Sequence, residues 1–193
     1  MDDENWAGTG SVRPIVRWDD PVLHAPSRPV TEFDDALRAL VADMVATMHA
    51  ADGVGLAAPQ IGVDLAVFVY ECPDADGNRQ RGVICNPMLE VPEGRERHLE
   101  EAEEGCLSLP GAHALLARSD VAICRGSNEF GDSVEVTGTG LLARCLQHET
   151  DHLRGTVFGD RLPKRVRDDL MAEAEQLADQ YPLDWPATQR AEG

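Results

Sequence analysis

The segment His148-Glu149-Thr150-Asp151-His152 constrains this chain more than any other, because its two imidazoles can share one ion only if the stretch is helical. Residues four apart on an α-helix stand one turn above each other on the same face. Glu149, three residues before His152, lies on the flank of that face, where it can reach an ion-bound water without being a ligand. That is the placement a general base needs. The flanks agree with a helix from about Gly140 to Leu153, since Leu141, Leu142, Cys145 and Leu146 recur at helical spacing and Gly155 supplies a stop. An HExxH pentapeptide also arises by chance on solvated helix faces, so its surroundings must decide.

A catalytic metal site commonly has three protein ligands and one open position. The metzincin extension HExxHxxGxxH places Gly155 correctly but requires a third histidine where this chain has Phe158. A glutamate from a later helix, Glu173 or Glu175, stays open on spacing alone. A thiolate is the other candidate. The five cysteines (72, 85, 106, 124 and 145) are odd in number and lack CxxC spacing, which argues against a disulfide scaffold or a structural zinc knuckle and for reduced thiols. The ordinary reading of each is a small buried hydrophobe. Cys106, which follows Gly105 in a compact turn-like segment, is the most suggestively placed.

With 193 residues, 42% hydrophobic and 27% charged, the chain has the balance of one self-sufficient globular domain spanning 1–193. A formal net charge of −18 repels nucleic acid and anionic membrane, so DNA is excluded as a main partner. No stretch approaches the roughly 20 apolar residues of a membrane span, and the acidic opening Met1-Asp2-Asp3-Glu4-Asn5-Trp6 is unlike a signal peptide. A soluble cytoplasmic protein is expected.

The N-terminal 30 residues read as an extended arm wrapping the core. Thr31 and Asp34 suggest a capping box before Phe33, Leu37, Leu40, Val41, Met44 and Met48, a helix stopping near Asp52-Gly53. The run from Gly53 to Gly62 is expected to be a loop. Leu65–Tyr70, Gly82–Cys85, Val121–Cys124 and Ser133–Val136 read as strands of antiparallel or mixed sheet, and the acidic stretch Glu90–Glu104 as a solvated loop or edge. A last helix from about Lys164 to Tyr181 carries Val166, Leu170, Ala174 and Leu177 on one stripe and leads into a tail expected to be disordered.

Three separate motifs, in order, make the chain resemble the peptide deformylases. GxGLAAxQ matches Gly53 to Gln60, EGCLS matches Glu104 to Ser108, and QHExDHLxG matches Gln147 to Gly155, within a framework of about residues 13 to 180. The resemblance implies an α+β fold of small antiparallel or mixed sheets around the HExxH helix, flanked by N- and C-terminal helices. It implies removal of the N-formyl group from the initiator formyl-methionine of nascent polypeptides, with release of formate. It also implies one divalent ion on Cys106, His148 and His152, usually Fe²⁺ although Zn²⁺, Ni²⁺ or Co²⁺ can occupy the site; ligand softness alone would suggest zinc.

Further roles follow from the same resemblance. Glu149 is the acid/base, and the Gln60 side-chain amide and the Leu107 backbone N–H meet the oxyanion. Gly55 and Gly105 bind substrate, Gly55 through a backbone edge, while Val54 and Cys145 line the methionine pocket. Glu104 and Arg118 either form a supporting pair or decorate the surface, and Asp151 either holds a ligand imidazole or faces water. The chain departs from the family at Gly111-Ala112-His113-Ala114, where many members carry an Arg that His113 does not fully replace. Docking on the ribosome near the exit tunnel is a family habit, for which Lys164, Arg165 and Arg167 supply only a brief positive patch. A zinc peptidase, a deformylase-like binding protein without turnover, and a blue-copper carrier are the competing readings.

Overall fold

A computed structural model describes residues 6–187. Residues 1–5, with most of the acidic opening, and residues 188–193, the end of the expected tail, lie outside the described residues. Three helices, α1 (Asp35–Ala50), α2 (Gly140–Leu153) and α3 (Lys164–Leu177), combine with seven strands in an α+β arrangement. The strands are β1 (Gly55–Ala57), β2 (Val67–Pro73), β3 (Arg79–Glu90), β4 (Leu99–Cys106), β5 (Leu109–Ser119), β6 (Val121–Ser127) and β7 (Ser133–Thr139). One sheet has the order β1-β2-β3-β6-β7 and the other is the β4-β5 hairpin; every pairing is antiparallel.

The large sheet is sandwiched between α1 and α2, and β2 shows why. Val67 and Val69 point into the cluster built on Val41, Met44 and Met48 of α1. Phe68, Tyr70 and Cys72 point into the cluster built on Leu142, Cys145 and Leu146 of α2. A strand covered on both faces reads as a continuous apolar run instead of an alternating one. Burying a Leu- or Phe-sized side chain stabilises by about 1.5–3 kcal/mol, so this two-sided layer anchors α2 at the centre of the molecule.

The N-cap of α1 is Asp34, which accepts a hydrogen bond from the Leu37 N–H at 3.0 Å, instead of the Thr31 box expected. The helix closes at Ala50, where the N–H groups of Asp52 and Gly53 donate to the carbonyls of His49 (3.1 Å) and Met48 (2.9 Å), and Asp52 takes φ 52°. This is the paired-bond helix ending usually served by glycine. It turns the chain sharply into β1, so the expected loop contains a short strand followed by a 3₁₀ turn at Ala58–Ile61.

The acidic stretch differs most from expectation. Its second half is β4, paired along its length with β5. Glu100, Glu101 and Glu103 are exposed while Glu104 and Cys106 are buried, so an acidic run poor in β-branched residues forms a strand because its partner orders it. The register breaks between Gly105, opposite His113, and Cys106, opposite Leu109. A bulge of this kind re-aims side chains, and here it turns Cys106 toward α2.

The arm wraps the core as expected. Ile15 is buried, and the N–H groups of Val16 and Trp18 donate to the carbonyls of Gln60 (2.8 Å) and Ser108 (3.0 Å). The tail is a correction as far as Ala187. The α3 helix ends at Leu177 and not at Tyr181, and the chain then folds back so that Trp185 is 4% exposed and its carbonyl accepts from the Ile15 N–H at 2.9 Å. Of the α3 stripe, Leu170 is buried and Ala174 packs beside it, but Val166 is 38% exposed.

Candidate metal centre

Every residue of α2 from Leu142 to Leu153 is buried, polar ones included. Polar groups taken from water this way need partners, and the β4–β5 hairpin supplies them to Arg144, Gln147, His148 and Asp151 through Glu104, Arg118 and the Ser119 carbonyl. His148 Nε2 and His152 Nε2 lie 3.2 Å apart, and Cys106 Sγ comes within 3.3 Å of His152 Nε2. One donor atom from each of the three residues lies within 4.8 Å of the others. Glu173 and Glu175, exposed on α3, do not join them.

Around this trio sits a buried ionic network. His148 Nδ1 is 2.7 Å from Glu104 Oε1. An ionised carboxylate can only accept, so Nδ1 carries a proton toward Glu104, and Nε2 faces Cys106 and His152. Arg118 donates to Glu104 through Nε (2.9 Å) and Nη2 (2.5 Å) and to Asp151 Oδ2 through Nη1 (2.7 Å). The Glu104–Arg118 pair is therefore no surface decoration: both residues are 5% exposed. Asp151 neither holds an imidazole nor faces water; it joins Arg118 to Arg161, whose Nε donates to it at 2.6 Å.

Two members of this network escaped the sequence reading. Arg144 donates to Glu104 Oε2 (2.8 Å) and to the carbonyls of Leu116 and Glu100 (2.9 Å each), tying the hairpin to α2. Its signal was available, since it stands one turn before His148 on the same helix. Arg161 lies in a 3₁₀ turn and gave none.

The electrostatics are lopsided. Burial pushes the Glu104 carboxyl up, but the bonds from Arg118 and His148 prevail and hold it well below the usual carboxylate range. Burial also opposes charge on His148, yet its bonds to Cys106 and Glu104 raise it overall, while burial and the neighbouring His148 lower His152. Burial raises the Glu149 carboxyl to about 7 against the pull of His148. Two imidazoles and a thiol packed together form a set of soft and borderline donors. A divalent cation such as zinc or iron fits it.

The trio opens on a cleft of about 340 Å³. Val54, Gly55, Gln60, Gly105, Cys106, Leu107, Cys145, His148 and Glu149 all line it, so the expected site residues other than His152 share one cavity wall. Gln60 Oε1 accepts from the Ala57 N–H at 2.9 Å, which leaves Nε2 aimed at Cys106 Sγ, 3.6 Å away. Gly55 has no room for a side chain: a Cβ there would sit 2.5 Å from Glu149 Oε1 and 2.8 Å from Cys145 Sγ. At Gly105 a Cβ would meet the His113 ring at 2.7 Å. Cys145 is both core and wall, being 3% exposed in the α2 cluster.

Residues 12–168 match the family model described as polypeptide deformylase. The chain belongs to the polypeptide deformylase family. This is a family of metalloenzymes that removes the formyl group from nascent peptides. Peptide deformylase 1 of Streptomyces avermitilis is 51% identical over 175 residues, covering 90% of this chain and 81% of the relative. Among solved structures, a peptide deformylase from Legionella pneumophila superposes with a TM-score of 0.76 at 40% identity, covering 86% of this chain and 95% of its own. The deformylase of Ehrlichia chaffeensis in complex with actinonin gives 0.78 at 36% identity, covering 86% and 97%. The deformylase fold class expected from the three motifs is thus observed, with purely antiparallel sheets.

Proposed function

We propose that the enzyme hydrolyses formyl-methionyl peptides with one divalent ion held by Cys106, His148 and His152 and with Glu149 as acid and base. The convergence of those three donor atoms beside the buried Glu149 carboxyl carries the reading. When bound, the ion supplies a Lewis acid that acidifies water and polarises the formyl carbonyl. Its proposed identity is Fe²⁺, from the resemblance, with Zn²⁺, Ni²⁺ or Co²⁺ able to replace it.

The chain's own groups divide the remaining work. Glu149, buried in the cleft wall, accepts a proton from the attacking water and gives it to the leaving amine nitrogen as the formyl C–N bond breaks. Formate and a free amino terminus result. The Gln60 side-chain amide and the Leu107 N–H donate to the developing oxyanion. Gly55 and Gly105 bring backbone close to the substrate, and Val54 and Cys145 flank its methionine side chain. Glu104 fixes the His148 ring, and Arg118 and Arg144 fix Glu104.

Nascent chains are the proposed partners. The ribosome is a partner on resemblance alone, and in the basic patch that opens α3 Lys164 pairs with Asp168 at 2.5 Å. A bacterial cytoplasmic location follows from that substrate; among the described residues no helix is long and apolar enough to cross a membrane. The test is anaerobic purification with metal analysis and formate release from formyl-Met peptides. Glu149→Gln should keep its metal and lose turnover, and Cys106→Ala should lose both. A metal-replete, active Cys106→Ala protein refutes the ligand set.

A further inference from the structure

The family match ends at residue 168, yet two residues well beyond it, Tyr181 and Trp185, line the cleft of the metal centre. Their position is built, not incidental. Arg17 of the arm donates through Nη2 to the carbonyls of Tyr181 (2.6 Å) and Pro182 (2.8 Å), and its guanidinium lies 5.9 Å from the centre of the Trp185 ring. Trp185 is anchored in the α1 core, and the Tyr181 ring meets it edge-on at 5.2 Å. The ring also lies against Gly111, where an added Cβ would be 3.0 Å from Cε2 and 3.1 Å from Oη. Gly111, at φ 82°, belongs to the bulged stretch between the paired residues Leu109 and His113.

Tyr181 also faces a second groove, of about 780 Å³, between the tail, the arm and α3. The two cavities share Pro110 and Tyr181 in their walls, so the Tyr181 ring is the partition between them. The methionine pocket proposed above uses Val54 and Cys145, on the β1 and α2 side. Tyr181 stands on the other, β5 side of the same cleft, beside Pro110 and Gly111, which leaves it free to meet the residues that follow the methionine.

We propose that Tyr181 is a specificity-determining residue, whose ring packs against apolar side chains in the second and third residues of the formyl-Met peptide. The inference rests on the deformylase reading of the cleft. An aromatic face over a proline and a glycine offers dispersion and area burial but no charge, so it favours leucine over aspartate at those positions. Arg17 acts only through the tail, as a positioning residue.

The experiment compares kcat/KM for formyl-Met-Leu-Leu amide, formyl-Met-Asp-Asp amide and formyl-methionine amide in wild type, Tyr181→Phe and Tyr181→Ala. In Tyr181→Ala the ratio of the Leu-Leu substrate to formyl-methionine amide should fall about ten-fold, mostly through KM, as expected for lost contact with one sizeable apolar group. Tyr181→Phe should hold that ratio within about two-fold, because the ring remains. Tyr181→Gln, which fills the space without an apolar face, gives the same reading if the alanine variant does not fold. A merely structural role would lower kcat alike on all three substrates, and an unmoved ratio overturns the inference. Wild type that releases no formate from any of them overturns the deformylase reading and this inference with it.

Discussion

Replacing Gly55 with alanine should separate activity from stability more cleanly than any other single change. Gly55 does not have positive φ, so alanine meets no backbone penalty there. The obstacle is contact. The new Cβ would stand 2.5 Å from Glu149 Oε1, and ordinary contact begins near 3.4 Å, so the carboxylate must retreat by 3.4 − 2.5 = 0.9 Å. The carboxylate end can swing toward the cleft, but the buried Cys145 Sγ, 2.8 Å from the new Cβ, must give as well, so the fold should lose about 1–3 kcal/mol, the usual cost of overpacking. A general base displaced by about 1 Å costs roughly 10²-fold in rate. Gly55→Ala should therefore bind its metal normally, unfold within about 3 kcal/mol of wild type in a denaturant titration, and lose about 10²-fold in kcat for formate release. Turnover within two-fold of wild type would refute the reasoning, since Glu149 could then not be acting from its observed position. Equal loss of metal and stability would refute it differently, by showing that backbone and not the carboxylate gave way.

Arg118→Met leaves Glu104 and Asp151 short of a buried counter-charge; about 3–5 kcal/mol of stability should go in urea unfolding, and chelator competition should show metal affinity about 10–100-fold weaker. Trp185→Ala should cost about 3–5 kcal/mol in the same assay, because its ring fills the α1 core, and a negligible loss would mean that the tail is not packed. Glu71 is pushed up by burial but pulled further down by His49, Trp6 and Arg79. A depressed carboxylate adds stability above its ordinary pKa and loses it as pH falls through the folded value. The stability gap between wild type and Glu71→Gln should then be largest near neutrality and shrink below about pH 4; a gap that widens in acid would reverse the assignment.

What could be read from sequence was what local patterning determines. The α2 helix was legible because one period organised both its apolar residues and the His148/His152 pair. Cys106 was legible as a candidate thiol but not as a ligand from spacing, because its approach to α2 depends on a register break in a hairpin that an acidic sequence does not announce. Strand β4 illustrates the reason: Glu100 to Glu104 have little preference for sheet, and only cross-strand partners at Ala114 to Arg118 order them. The tail escaped for the same reason on a larger scale. Nothing local to Tyr181 or Trp185 predicts order, which comes from Arg17 and Ile15 some 165 residues away in the chain.

The same long-range contacts explain why the site is built from an ionic network when an apolar one would serve stability as well. Buried ion pairs often contribute no more to stability than well-packed hydrophobes. Glu104, however, has a task that leucine could not perform. It sits on the strand that carries Cys106, binds the imidazole of His148 on α2, and receives Arg118 from β5 and Arg144 from α2. The bonds to His148 and from Arg144 tie the thiol-bearing strand directly to the histidine-bearing helix, Arg118 does so through Asp151 of α2, and charge-assisted bonds are directional where apolar packing is not. Three donors drawn from two elements can meet within 4.8 Å only if those elements are held in one relative position. The network thus fixes the relative position of the three candidate donors, and Arg118→Met should spoil that geometry more than a neutral cavity of comparable cost placed away from the cleft, such as Met44→Ala in the α1 core.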